Sequence, residues 1–174
     1  MPASQPGLVS VTGRAARGTI VALEPVQGAP APPPETPTVM DQRGGQFLPG
    51  VLLARVGQPV EFRNSESINH NVYVTRGAAA AVEINVSTDP GQSYTHTFTR
   101  PGAYDVSCDI HPSMRASLVV VDTPHAATAD DFGNYLIMNV PPGQYRVTSV
   151  PAAPGEPRIV DVAGTHADLG TVTP

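Results

Sequence analysis

The segment of residues 108–114, Cys-Asp-Ile-His-Pro-Ser-Met, constrains this chain more than any other feature. It contains the single cysteine of the protein, a histidine three residues later and a methionine three residues after that. Thiolate, imidazole and thioether are soft or borderline metal ligands, which are the types that suit copper. Residues 103–107 alternate like a strand, and residues 116–121 form an apolar run rich in valine. This pattern predicts two strands joined by a tight loop, which can direct the three donor side chains toward one point.

A fourth donor is expected upstream of this loop. His70 lies within residues 68–74, which follow a predicted strand at residues 60–64. Two imidazoles, one thiolate and a weak axial thioether form the trigonal copper site that proteins use for single-electron transfer. The predicted metal ligands are therefore His70, Cys108, His111 and Met114.

With these residues in this order, the chain resembles the cupredoxins, the type 1 or blue copper proteins, over residues 36–122. The Cys-x2-His-x2-Met spacing, with Pro112 after the second histidine, resembles the ligand loop of amicyanin and plastocyanin. The pair His70 and Asn71 resembles the presentation of the first ligand in many small cupredoxins. The resemblance implies a Greek-key β-sandwich that holds one Cu(I)/Cu(II) ion. It also implies that Asn71 links the two ligand segments by hydrogen bonds.

The resemblance further implies an electron carrier that is not an enzyme and that exchanges electrons with a redox protein partner. In this family the histidine of the short loop usually reaches the surface through an apolar patch. The expected docking surface therefore surrounds His111 and includes Pro112, Leu48 and Pro49. A partner can dock there over a small, transient interface.

Other uses of the same ligands stay open. A copper chaperone or storage protein, with exchangeable Cu(I), is the main alternative. A structural zinc site is less favoured, because zinc is normally held by cysteine and histidine and not by methionine. Catalysis by several coppers would require more clustered histidines than the three that remain, which are His96, His125 and His166.

Composition favours an all-β protein. Only 14% of the 174 residues are charged, whereas 20 are proline and 16 are glycine, and no segment keeps a helical period. The net charge of −5 argues against nucleic-acid binding, and no apolar run is long enough to span a membrane. One cysteine cannot form an internal disulfide, and the oligomeric state is left open.

The chain outside the cupredoxin-like region predicts a second, split β module. Residues 26–38 are rich in proline and are predicted to be a linker before the cupredoxin domain of residues 39–122. Residues 1–25 and 123–174 resemble the two halves of a carboxypeptidase regulatory-like β-sandwich. The motifs Asp-x-x-Gly-x-Tyr and Asn-Val-Pro-Pro-Gly-x-Tyr in the last segment carry this resemblance. We expect about seven strands in the cupredoxin and about six in the split module.

More detailed expectations concern the split module. Residues 8–12 and 18–23 are close enough to form a β-hairpin. The aromatic residues expected in its core are Phe132, Tyr135 and Tyr145. The arrangement, with Met-Asp-Gln at residues 40–42, also resembles proteins described as methylamine-utilisation-like.

The first residues bear on the expected location. Residues 1–7 lack the basic start and apolar core of a signal peptide. The sequence is therefore that of a cytosolic protein or of a trimmed mature form. Because cupredoxins are usually exported, we expect a periplasmic or otherwise extracytoplasmic protein.

Overall fold

The computed structural model describes residues 7–77, 80–153, 155 and 157–172, and their regular secondary structure is entirely β, as predicted. The chain forms two compact units. The central unit is Pro33–Val121, and the flanking unit combines Met1–Pro32 with Asp122–Pro174. The described residues include no helix that is long and apolar enough to cross a membrane.

Sixteen strands follow one another along the described residues. They are β1 (Val9–Ala15), β2 (Ile20–Pro25), β3 (Thr38–Arg43), β4 (Gln46–Leu48), β5 (Val51–Arg55), β6 (Pro59–Asn64), β7 (His70–Arg76), β8 (Ala81–Thr88), β9 (Ser93–Thr97), β10 (Gly102–Ser107), β11 (Arg115–Val121), β12 (Ala126–Thr128), β13 (Asn134–Val140), β14 (Gly143–Val150), β15 (Arg158–Val162) and β16 (His166–Val172).

Two sheets enclose the core of the central unit, which is a β-sandwich as expected. One sheet has the order β5-β11-β10-β7-β8, and the other has the order β4-β3-β6-β9. Strand β6 illustrates how the sequence builds this core: Val60 and Phe62 are fully buried, whereas Glu61 and Arg63 pair with each other on the other face. The described part of this unit has nine strands, where the sequence suggests about seven.

The five-stranded sheet brings distant segments of the chain to one end. Strands β7 and β10 pair in antiparallel fashion, with Tyr73 opposite Ser107. Strand β10 continues through a loop into β11, its other antiparallel neighbour, with Ser107 opposite Arg115. His70, the first residue of β7, and Cys108, the residue after β10, therefore meet at the same end of the sheet.

Both ends of the chain contribute strands to the flanking unit. Strand β1 pairs with β13 and β16, and β2 pairs with β12 and β14. The resulting sheets, β13-β1-β16 and β12-β2-β14-β15, enclose a separate apolar core that includes Val11, Leu23, Ile137 and Val147. The described residues of this unit form seven strands, where about six are expected. That this unit is a carboxypeptidase regulatory-like module stays a prediction.

The predicted hairpin between residues 8–12 and 18–23 is wrong. Strands β1 and β2 belong to different sheets of the flanking unit. Strand β1 has a partner along each edge, so no edge is left for β2. Val11 and Leu23 are both fully buried in the same core, and placing the two strands in separate sheets lets each bury its apolar face there.

The prediction that Phe132 belongs to the core of the second module is also wrong, whereas Tyr135 and Tyr145 are buried as expected. Phe132 exposes 80% of its surface. Asp130 Oδ1 accepts hydrogen bonds from the backbone N–H groups of Phe132 and Asn134, at 2.9 and 2.8 Å. These bonds close a tight turn, and Phe132 lies in the turn instead of the core.

Gly13 offers a test of the packing around β1. A Cβ atom added there would overlap the Tyr135 hydroxyl and lie 2.7 Å from the carbonyl oxygen of Gly170. We expect Gly13→Ala to lower the free energy of unfolding by about 1–3 kcal/mol, because β1 cannot move away from partners on both sides. Urea unfolding followed by circular dichroism measures this change in the free energy of unfolding.

Gly50→Ala is the control for Gly13→Ala. A Cβ atom at position 50 meets nothing within 4 Å, so this variant should change the free energy of unfolding by no more than about 0.5 kcal/mol. Equal stability of the two variants would contradict the close packing.

Candidate metal centre

The loop after β10 is closed by its own backbone. Cys108 N–H donates to the carbonyl oxygen of Met114 at 3.2 Å, and Met114 N–H donates to that of His111 at 2.9 Å. Cys108 and Met114 are buried, and His111 is half-buried. The loop therefore has a defined shape in which the cysteine and methionine face the interior while the histidine reaches the surface.

His70 approaches this loop from the neighbouring strand. It is fully buried at the start of β7. The next residue, Asn71, points its backbone N–H at Cys108 Sγ, with 3.5 Å between the nitrogen and the sulfur. The contact between β7 and β10 thus continues one residue beyond the end of β10, to the sulfur atom of Cys108.

Three donor atoms converge at this point. The Nδ1 atoms of His70 and His111 are 3.1 Å apart, and Cys108 Sγ lies 4.0 Å from the first and 3.8 Å from the second. The two rings meet edge to face, with centroids 4.8 Å apart. Among the described residues, these three form the group whose side chains could hold a metal ion.

The spacing of the donors fits a metal ion. With bonds of about 2.0 Å to imidazole nitrogen and about 2.3 Å to thiolate, a planar trigonal site has roughly 3.5 Å between nitrogens and roughly 3.8 Å between nitrogen and sulfur. The observed 3.1, 3.8 and 4.0 Å differ from these values by less than half an ångström. Small ring rotations would therefore be enough to bring all three atoms to bonding distance.

Met114 occupies a position that suits the predicted axial role without establishing it. Its side chain is fully buried in the core of the central unit, together with Cys108. Its backbone closes the loop, as described above. Met114 stays a predicted ligand.

Asn71 connects the two ligand segments through its side chain. Its Oδ1 accepts a hydrogen bond from Asp109 N–H at 2.5 Å, and its Nδ2 donates to Asp109 Oδ2 at 3.0 Å. Asp109 directly follows Cys108 in the chain. The reciprocal pair therefore fixes the distance between β7 and the start of the loop, which is the role that the family resemblance implies for Asn71.

Glu66 is a site residue that the sequence analysis missed. Its Oε2 lies 2.6 Å from Nε2 of His70, on the side of the ring opposite the donor cluster. This hydrogen bond holds the pKa of the Glu66 carboxyl below its usual range. An acidic residue four positions before a predicted histidine ligand is the signal that could have found it, although such spacing in a loop is weak evidence by itself.

The three other histidines have local partners away from this group. His96 Nε2 lies 3.8 Å from Glu83 Oε1, and the His96 ring stacks on the ring of Tyr94. The His125 ring contacts the Tyr145 ring edge to face, and His166 Nε2 lies 3.2 Å from Thr12 Oγ1. Where the structure describes donor groups, none of these three joins the cluster.

Comparison with known proteins points to one family. Residues 35–122 match the model of the copper-binding proteins of the plastocyanin/azurin family. The chain is 31% identical over 100 residues to amicyanin-alpha of Methylorubrum extorquens, covering 57% of this chain and 81% of that protein. It is 36% identical over 70 residues to amicyanin of Paracoccus denitrificans, covering 40% of this chain and 53% of that protein.

A solved structure of a reduced tryptophan-to-tyrosine variant of amicyanin is similar at a TM-score of 0.45 and 28% identity, covering 57% of this chain and 97% of that one. The span that matches the family model contains His70, Cys108 and His111. Imidazole and thiolate donors in this arrangement suit copper, and a single copper ion is the cofactor. By a family match that extends over half of its residues, the chain belongs to the copper-binding proteins of the plastocyanin/azurin family.

Proposed function

We propose that this chain carries single electrons between redox partners through one copper ion, held by His70, Cys108 and His111 with Met114 as a weak axial ligand. One observation supports this most directly: two imidazole nitrogens and one thiol sulfur, one from the start of β7 and two from the loop after β10, lie within 4.8 Å of one another. The proposal makes the protein a carrier and not an enzyme.

The residues around the donors suit rapid electron exchange. Bound copper supplies a reversible one-electron change between Cu(I) and Cu(II), which favour different geometries. His70 and Cys108 are buried, and hydrogen bonds from Asn71 and Met114 restrict the segments that carry them. Donors that cannot move far keep the geometry similar in both oxidation states, so little rearrangement accompanies electron transfer.

The partner would dock at the exposed edge of the site. His111 is half-buried, and its neighbour Ile110 exposes 54% of its surface. Leu48, which the sequence analysis places in the same patch, exposes 42%. An apolar surface beside His111 would give a short electron path to a partner protein. By family resemblance we also propose an extracytoplasmic location.

For the flanking unit we propose the carboxypeptidase regulatory-like module suggested by its motifs. The pairing of β1 with β13 and of β2 with β14 supports an origin as one module interrupted by another. Its role in this proposal is that of a spacer or docking surface, since the motifs carry no acid–base or nucleophile pattern.

The visible absorption spectrum tests the copper proposal. Addition of one equivalent of Cu(II) to the purified protein should give an intense blue thiolate-to-copper band, because Cys108 is the single thiol of the chain. Cys108→Ser should abolish the band and leave the fold intact. Tight binding of Cu(I) without any such band, and its rapid transfer to a chelator, would contradict electron transport and favour a copper chaperone or store.

Met114 can be tested against a second methionine of the same core. Met114→Leu keeps the side-chain volume but removes the thioether, so the thiolate band should persist while the reduction potential rises. The rise is about 59 mV for each tenfold loss of Cu(II) affinity relative to Cu(I). Met40→Leu, at another fully buried position of this core, is the matched control and should leave the potential unchanged. Equal potentials in both variants would remove Met114 from the ligand set.

The docking surface can be probed without an identified partner. Electron self-exchange between two copies, measured by nuclear magnetic resonance line broadening, requires the two sites to approach each other. Ile110→Lys places like charges on both surfaces and should slow self-exchange by about tenfold at low ionic strength, with recovery in salt.

Val82→Lys is the control for this experiment. Val82 exposes 57% of its surface in β8, where it pairs with Thr75, whereas His70 pairs with Thr88 at the other end of the strand. Six residues of strand separate the two ends by about 20 Å. Similar slowing in both variants would show that electrons do not leave through the edge at His111.

A further inference from the structure

The flanking unit contains a cleft of about 640 Å³ to which the proposed electron transfer gives no role. Three segments of the chain line it, which are residues 25–31, 124–125 and 141–145. All three belong to the flanking unit, so the cleft includes none of the donor groups of the metal centre. Its volume lies within the range of about 300–1,000 Å³ that is typical of sites for small organic molecules.

One wall of the cleft is the chain that leaves β2. Val26 N–H donates to the carbonyl oxygen of Gln144 at 3.0 Å, which extends the pairing of β2 with β14 by one residue. Gly28 follows in a bend with a φ of 97°, a conformation that favours glycine. The exposed residues beyond this bend, as far as Ala31, continue the wall. The backbone of β14 therefore holds the start of this wall in place.

The other two segments are also held by hydrogen bonds. In the turn between β13 and β14, the Tyr145 hydroxyl donates to the carbonyl oxygen of Pro141 at 2.9 Å. The His125 ring packs edge to face on the Tyr145 ring, with centroids 5.8 Å apart. His125 N–H donates to Thr123 Oγ1 at 3.1 Å, and its carbonyl oxygen accepts from Leu23 N–H at 2.8 Å. The cleft is therefore formed before any ligand enters it.

The lining of the cleft is largely apolar and selects against ions. Eight of the thirteen lining residues are proline, alanine or valine, and among these described residues none is aspartate, glutamate, lysine or arginine. A charged ligand would lose water there without gaining a charged partner, which is costly. Five of the lining residues are prolines, each of which has a carbonyl oxygen but no N–H group. The walls therefore favour a ligand that donates hydrogen bonds.

The same lining favours an aromatic ring as the apolar part of the ligand. The C–H groups of proline rings can pack on the face of an aromatic ring, whose π system carries partial negative charge. Val26, which lines the cleft, exposes 43% of its surface. A ring in contact with Val26 would remove this apolar surface from water, which favours binding.

We propose that this cleft binds an uncharged aromatic small molecule with a hydroxyl group, which is a phenol in chemical terms. The apolar walls cover the ring. A proline carbonyl oxygen, or the side-chain amide oxygen of Gln27 or Gln144, accepts the hydrogen bond from the hydroxyl group. The flanking unit is then a binding module in addition to a spacer. The inference does not depend on the proposed electron transfer, because no donor group of the metal centre takes part.

The two-ring phenol 2-naphthol is a suitable probe for the full chain. The protein has no tryptophan, so naphthol fluorescence can be excited without emission from the protein. Titration with the protein should raise the fluorescence anisotropy of 2-naphthol to a plateau at one molecule per chain. In competition experiments, 2-methoxynaphthalene, which has no hydroxyl donor, should bind about three- to tenfold more weakly. The anion 2-naphthoate should bind more weakly than 2-naphthol by at least about tenfold.

A pair of variants locates the binding site. Val26→Asp removes an apolar contact and places a carboxylate at the cleft, so it should weaken 2-naphthol binding by about tenfold. Ile159→Asp is the matched control in the same unit. Ile159 exposes 55% of its surface in β15 and does not line the cleft, so its replacement should leave the affinity unchanged. Circular dichroism checks that both variants are folded.

Several results would overturn the inference. The first is the absence of saturable 2-naphthol binding by the wild-type chain. The second is equal affinity for 2-naphthol and 2-naphthoate, and the third is equal weakening by Val26→Asp and Ile159→Asp. Displacement of 2-naphthol by an acetylated hexaproline amide would also overturn it, because the cleft would then be a site for proline-rich peptides.

Discussion

The antiparallel pairing of β7 with β10 is the interaction on which the metal centre depends. Its register places Tyr73 opposite Ser107, and two residues farther along each chain this alignment becomes the contact of Asn71 with Cys108 and Asp109. Donor groups far apart in sequence are therefore brought together by backbone hydrogen bonds, which act over many residues and do not require a metal. A shift of one residue would turn the side chains of β7 to the opposite face and separate the donors.

Around this contact, the protein supports one side of the site more firmly than the other. Hydrogen bonds connect His70 to Glu66 and Asn64 to Thr88 on one side, whereas His111 lies in a short loop and is half-buried. This asymmetry suits the two tasks that the histidines would share. One would keep the donor geometry constant, and the other would face a partner.

The parts of the site that depend on local spacing could be predicted, and the parts that depend on tertiary contacts could not. Three donors three residues apart in one loop are visible as a pattern, and His70 followed by Asn71 resembles a known family. Glu66 was missed because its contact with His70 depends on how Asn64 folds the intervening loop. The hairpin predicted between β1 and β2 was wrong for a related reason: two adjacent apolar strands can share a sheet or face each other across a core, and local alternation is the same in both cases. The exposure of Phe132 likewise follows from a turn around Asp130, which overrides its hydrophobicity.

The split arrangement of the flanking unit has a consequence for the order of folding. Its strands pair across residues such as Val11 and Ile137, more than a hundred positions apart, so this unit cannot be completed until nearly the whole chain has been synthesised. The central unit can form earlier, and it draws its own ends together: Pro33 lies against Gly57, and the adjacent Val56 donates to the carbonyl oxygen of Val121 at 3.0 Å. Once the central unit has folded, the flexible chain between the two segments of the flanking unit is shortened from well over a hundred residues to a few tens. Each halving of loop length lowers the entropic cost of loop closure by roughly 0.6 kcal/mol. The shortening therefore reduces the entropic cost of bringing the two segments of the flanking unit together by about 1 kcal/mol. Early folding of the central unit would therefore assist the folding of the flanking unit.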